Sequence, residues 1–261
     1  MLSTFVFFVV VPGVSTALFF LLWRAGRERQ RIDEQRRSAL DDVVVQLSGG
    51  STRGGDRDGG FILRTPRGVS LVAQRRAESD GPDWLQLTAE ASIPTDLLIG
   101  AEGIGSRLGK LFVGPDVETG EPEFDRAVLL RGSEARLLAI FDRRTRDLVA
   151  GAVARGCTVA GGRAQGAAKG DLTAAAALLL PSLEVAEIAQ TISERSQQPV
   201  TALLRENAMG DPAPGVRRRC LQTLLEHFPG HAETRVAVEA ASVDTDPDVR
   251  LFASARLEGG P

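Results

Sequence analysis

Two cysteines, two histidines and two lysines in 261 residues leave little material for the commoner kinds of site chemistry. Cys157 and Cys220 stand roughly sixty positions apart in apolar surroundings with no Cys-x-x-Cys spacing. Neither a disulfide framework nor a zinc ribbon is indicated, and two buried reduced thiols are expected. His227 and His231 have the four-residue spacing that chelates metal on a helix, but Pro229 and Gly230 interrupt the helix between them. Even with Cys220 the ligand set is incomplete, so no metal site is expected. Lys110 and Lys169 are the only lysines among 31 basic residues, a skew that, with abundant Ala and Gly, suggests a GC-rich bacterial genome. The net charge of −3 carries no basic excess beyond one N-terminal segment, which argues against a nucleic-acid partner.

Nucleotide loops are missing as well. The stretch 48–60, "SGGSTRGGDRDGG", has no Lys-Ser or Lys-Thr after its glycines and reads as a flexible connection. In 100–110, "GAEGIGSRLGK", Leu108 stands where a dinucleotide fingerprint needs its third glycine, with Gly109 one place late. A phosphate-binding loop fails there too, because only three residues separate Gly105 from Gly109 and Leu111 follows Lys110. No cofactor is expected.

Charge is absent over residues 2–23, "LSTFVFFVVVPGVSTALFFLLW". At 1.5 Å per residue that run crosses a hydrocarbon core of about 30 Å, so a transmembrane helix is expected, with Pro12 and Gly13 in mid-span. No basic residue precedes the run and no small-x-small site follows it, unlike a cleaved signal peptide. Arg24, Arg27, Arg29, Arg31, Arg36 and Arg37 follow at once, opposed only by Glu28, Asp33 and Glu34. The positive-inside bias then places the N-terminus outside and the rest of the chain in the cytoplasm of a bacterium, below its inner membrane.

Past the anchor, Ile32, Leu40, Val43, Val44 and Leu47 recur at near-helical spacing. Phe61–Arg64, Val69–Gln74 and Trp84–Ala89 alternate with period two around "TPRG" and "ESDGPD", which predicts an antiparallel meander. In the third strand Leu85, Leu87 and Ala89 share the inner face. "DLLIG" (96–100) is a fourth expected strand, and "CTVAGGRAQG" a hairpin about Gly161-Gly162. "LTAAAALLLPSLEVAEIAQTIS" reads as one or two helices divided at Pro181.

The densest group of charges lies in "TGEPEFDRAVLLRGSEARLLAIFD" (119–142): Glu121, Glu123, Asp125, Arg126, Arg131 and Glu134. As a catalytic pair, two of these acids would have to converge on a pocket with one pKa raised, and nothing in the spacing enforces it. The structural reading is a turn at Gly120 and Pro122, an inner strand over "FDRAVLLRG", Ser133 as N-cap and a helical apolar face from Leu137 to Ala152. Asp125 is then expected to pair with Arg126, Arg131 or a backbone donor. No residue is assigned a catalytic role.

Near the C-terminus a shift of 33 superimposes Asp211, Pro214, Val216 and Arg217 on Asp244, Pro247, Val249 and Arg250, and Leu203, Leu204 and Ala208 on Val236, Ala237 and Ala241. The unit is helix, Asp/Pro turn, helix, with Asp expected to cap the incoming helix. It resembles HEAT-type α-solenoid repeats over roughly Pro199–Leu257. Two such units bury too little by themselves, so they are expected to pack on preceding helices. The middle region, through Gly120, Pro122, Phe124, Asp125, Arg131 and Gly132, is similar to a group of uncharacterised bacterial membrane proteins with a Gly-x-Pro-x-Phe-Asp element. That likeness implies no catalytic residues.

The expected protein is α+β and spans the membrane once. Residues 1–23 form the transmembrane helix, 24–59 a basic juxtamembrane helix and Gly-rich linker, 60–196 a small antiparallel-sheet domain with packed helices, and 197–261 the HEAT-like repeats. The expected role is a membrane-anchored interaction or scaffold module without catalytic activity, touching lipid through its N-terminal span and an unidentified protein partner. The alternatives are an enzyme with its site in the α+β domain, or a membrane-surface sensor using the arginines after Trp23.

Overall fold

The computed structural model describes residues 24–36, 38–39, 41–42, 45, 54–55, 61–65, 69–76, 84–102, 116–169 and 172–258. The expected span at 2–23, the loop at 103–110 and most of 48–60 lie outside the described residues. No helix among the described residues is long and apolar enough to cross a membrane.

The chain is α+β. Residues 24–36 form helix α1, exposed along most of its length, and the helical residue Ala39 just beyond it is buried in the main core. The expected meander is present as β2 (Phe61–Arg64), β3 (Ser70–Arg76) and β4 (Trp84–Glu90), each antiparallel to the next. Leu85, Leu87 and Ala89 are buried as their alternation requires, because successive strand side chains point to opposite faces. Within the expected Gly-rich linker, Gly54–Gly55 pairs with β2 as a short strand, β1.

Beyond β4 the order is not that of the chain. The sheet runs β1-β2-β3-β4-β8-β7-β5-β6, where β5 is Leu98–Ala101, β6 Val128–Arg131, β7 Thr158–Ala160 and β8 Arg163–Ala168. The β7–β8 hairpin turns on Gly161 and Gly162, both at positive φ (57° and 80°), which a two-residue primed turn requires and glycine adopts without steric cost. Helix α5 (Ala175–Ser196) lies across β8, β4 and β3 as one helix with Pro181 inside it. Its Val185, Ile188, Ala189 and Ile192 join Leu71, Leu85 and Leu87 in the main core.

Three expectations for 119–154 are corrected. Pro122–Ala127 is a helical turn, α2, and not the start of a strand, because proline at its first position fixes a helical φ and Phe124 finds a buried seat. The strand that follows, β6, is the last of the sheet order, its outer side met by a bridge from Asp116 to Arg131. The long apolar helix is two helices, α3 (Glu134–Ile140) and α4 (Arg143–Ala154), because the Asp142 carboxylate accepts from Thr145 N at 2.8 Å and starts a new helix. Ser133 stands at the N-cap of α3, but its side chain makes no capping bond.

The remaining helices are α6 (Val200–Gly210), α7 (Pro214–His227), α8 (Ala232–Ala241) and α9 (Pro247–Glu258). Among the described residues, α6–α7 and α8–α9 are two successive helical hairpins, while α3 and α4 are consecutive helices joined through Phe141 and Asp142. Helix α3 packs against both α6 and α7, as a short array requires. Its four consecutive buried residues divide between two cores: Leu137 and Ile140 join the main core, while Leu138 and Ala139 join Leu204, Val216, Leu221 and Ala237. Four consecutive apolar residues circle a full helical turn, so that turn is stable only when covered on every side. The second core therefore crosses the expected division at residue 197.

Candidate functional site

The charges of 119–142 are taken up one by one by the fold. Asp125 accepts from Thr119 N and Thr119 Oγ1 at 2.8 Å each and from Gly120 N at 3.0 Å, so its partners are a hydroxyl and backbone donors. Of the two expected kinds of partner it is the backbone donor that is found and not an arginine, since Arg126 donates to Pro122 O and Arg131 to Asp116 Oδ1. Glu134 pairs with Arg219, and Glu123 is exposed on α2. Glu121 points away from Asp125, to Arg146 Nε at 2.5 Å. No two of these acids converge on one pocket.

Arg146 is the residue that sequence reasoning missed. It rises from the first turn of α4, is only 1% exposed, and uses four of its five N–H donors: one to Glu121, one to Phe141 O at 2.8 Å and two to Asp211, at 2.8 and 2.9 Å. Burial works against its charge, but the hydrogen bonds it donates to Asp211 and Glu121, with the attraction of both carboxylates, outweigh it and raise the guanidinium pKa. A buried arginine is tolerable only when paired in this way. Asp211 was expected to cap α7. It accepts from Ala213 N at 3.0 Å, shaping the turn before the helix, while its carboxylate is committed to Arg146.

The same arrangement recurs along the stack. Arg195, from the end of α5, donates to Asp142 in the α3–α4 turn at 2.8 Å. Arg146 of α4 holds Asp211 in the α6–α7 turn, and Arg217 of α7 holds Asp244 in the α8–α9 turn at 2.6 and 2.8 Å. Each turn carboxylate receives a guanidinium from another helix, later in the chain for Asp142 and earlier for Asp211 and Asp244, and the three pairs form a ladder. Arg217 Nη1 also donates to Asp211 O, and 33 residues on, Arg250 Nη1 donates to Asp244 O. The hydrogen bonds from Arg217 hold Asp244 below the usual carboxylate range, against the opposing effect of burial.

The 33-residue shift also exposes a difference between the last two hairpins. Leu203 is 2% exposed and Leu224 0%, whereas their equivalents Val236 and Leu257 are 42% and 54% exposed. Arg218 of α7 stacks over Phe252 of the next hairpin, 5.5 Å from the ring centroid; its equivalent, Leu251, is 72% exposed. Arg217 has Asp244, but Arg250 has only the carbonyls of its own turn, Asp244 and Thr245, among the described residues. Arg250 and Leu251, whose equivalents Arg217 and Arg218 reach the next hairpin, mark the outer face of α8–α9, and Val236 and Leu257 are exposed on the same hairpin.

Other candidates hold less. An open groove of about 240 Å³ between Glu118–Gly120 and α7 is lined by Gly215, Arg218, Arg219 and Gln222, and one of about 270 Å³ by Gln35, Ser38, Ala39, Asp42 and Thr173. Cys157 and Cys220 are both free and buried; burial pushes Cys157 up to about 11 and Cys220 higher still. His231 accepts from Glu233 N as the N-cap of α8, His227 ends α7, and no cluster of metal-ligating side chains occurs among the described residues. Comparison with protein-family models, curated proteins and solved structures finds no match for the chain.

Proposed function

We propose that the protein is a membrane-anchored interaction module, held in the bacterial inner membrane by residues 2–23 with its α+β domain and HEAT-like hairpins in the cytoplasm. The observation that carries this reading is the outer face of α8–α9. Val236, Leu251 and Leu257 leave apolar surface in water at positions whose equivalents one hairpin earlier are buried or reach the next unit. Several large apolar side chains exposed on one hairpin favour an interaction surface. Asp125, Glu121 and Asp211 are meanwhile engaged in turns and ion pairs. Exposed arginines along α1 favour contact of that helix with anionic headgroups beside the anchor.

The test is capture from membranes with the intact chain and with Leu251→Glu, a substitution at an exposed site that leaves the core untouched. The expected result is a discrete protein retained by the parent and lost, by at least about tenfold, with the charged variant, since desolvating an unpaired carboxylate opposes binding. Identical retention by both would remove the face from the interaction.

A further inference from the structure

The repeat itself indicates what fits the outer face of α8–α9. One hairpin earlier, the equivalent face is covered by a helical hairpin, and the contacts are specific. Arg217 is met by a carboxylate in the inter-helix turn of its neighbour, Arg218 by an aromatic ring on the neighbour's second helix, and Leu203 and Leu224 are sealed from water. The last hairpin repeats these donors and apolar groups as Arg250, Leu251, Val236 and Leu257, without a matching carboxylate acceptor among the described residues. An arginine that presents a planar fork to a carboxylate in two adjacent turns presents the same chemistry at the third.

Building on the interaction-module reading, we infer that this face binds a helical hairpin of a partner protein bearing an aspartate in its inter-helix turn, with that carboxylate on Arg250 as the next rung of the ladder. A second copy of this chain is a poor source. Its turn aspartates, Asp142, Asp211 and Asp244, are already bound by Arg195, Arg146 and Arg217, so donating one would break a buried or half-buried pair.

Two measurements on the full chain in detergent or native membrane decide it. In the first, a copy of residues 226–258 is joined directly after Glu258, which preserves the 33-residue period and brings a duplicate of Asp244 to Arg250. Arg250→Met should reduce the folding equilibrium constant at least about tenfold more in the extended chain than in the parent, and asparagine in place of the duplicated aspartate should abolish that difference. Equal effects in both chains, or an extension that adds no helical signal, would overturn the inference. In the second, a photo-crosslinker at Leu251 is activated in membranes and the linked peptide identified by mass spectrometry. The expected peptide comes from another protein and carries an aspartate between two helical segments. A peptide from this chain, or a partner segment without an acidic turn, refutes the hairpin while leaving a general interaction role standing; no crosslink at Leu251 counts against both.

Discussion

At Gly215, helix propensity and packing point in opposite directions. It is the second residue of α7, where alanine is ordinarily the better helix former, yet a Cβ there would lie 2.1 Å from Gly120 O, and one on Gly120 would lie 2.5 Å from Gly215 O. Two backbones touch at this point, and Gly120 adds a φ of +94°. Gly215→Ala should therefore destabilise the protein by about 1–3 kcal/mol, the range for overpacking a close contact, when urea midpoints are compared. A gain in stability would mean that the loop and helix separate easily. Asp244 supports a pH prediction. A carboxylate whose pKa is depressed by folding contributes stability that is complete above its unfolded value, near 4, and lost as pH falls through its folded value. Asp244→Asn should be less stable at neutral pH and show a shallower fall in stability below about pH 4 than the parent. The thiols carry the third expectation. Burial raises both pKa values, so iodoacetamide at pH 8 should leave the native protein unmodified and add two adducts after denaturation.

The elements that matter most are the inter-helix turns and the short helix α3. Removing one member of the Arg146–Asp211 pair strands the other charge in the interior; Arg146→Met or Asp211→Ala should each cost about 3–5 kcal/mol by denaturant unfolding. Replacing both, Arg146→Met with Asp211→Leu, should cost clearly less than the sum of the singles, because no buried charge is left without its counterpart except the partly exposed Glu121. Additive losses would show that the two residues act independently. Helix α3 has only seven residues and would not persist alone, but it is covered by α5 on one side and by α6 and α7 on the other. Asn207 reinforces the joint, donating to Leu138 O at 2.7 Å and so satisfying a carbonyl at the end of that helix.

For the whole molecule, a shared helix between two cores implies cooperative unfolding. Leu224 lies in the second core, far along the chain from Trp84 on β4. Leu224→Ala should cost about 2–5 kcal/mol and move the Trp84 fluorescence transition, read in a Trp23→Phe background, together with the helical circular-dichroism transition. Two separated transitions would show that the hairpins melt apart from the sheet.

Local patterns in the sequence determined the meander through alternation at Leu85, Leu87 and Ala89, the β7–β8 turn through Gly161-Gly162, and the last two hairpins through the 33-residue match. Each signal is local or strictly periodic, so near neighbours in the chain suffice to produce it. The pairing of β4 with β8, the break at Asp142 and the ladder needed the tertiary structure. The helix pair α3–α4 escapes the repeat because Arg146 follows Asp142 by four residues, whereas Arg217 follows Asp211 by six. The charges between Glu121 and Glu134 resolve into turn, helix start and ion pairs only once Arg146 and Arg219 arrive from other helices. A carboxylate's role depends on what lies within a few ångströms of it, and for Glu121 that is a guanidinium 25 positions further along the chain.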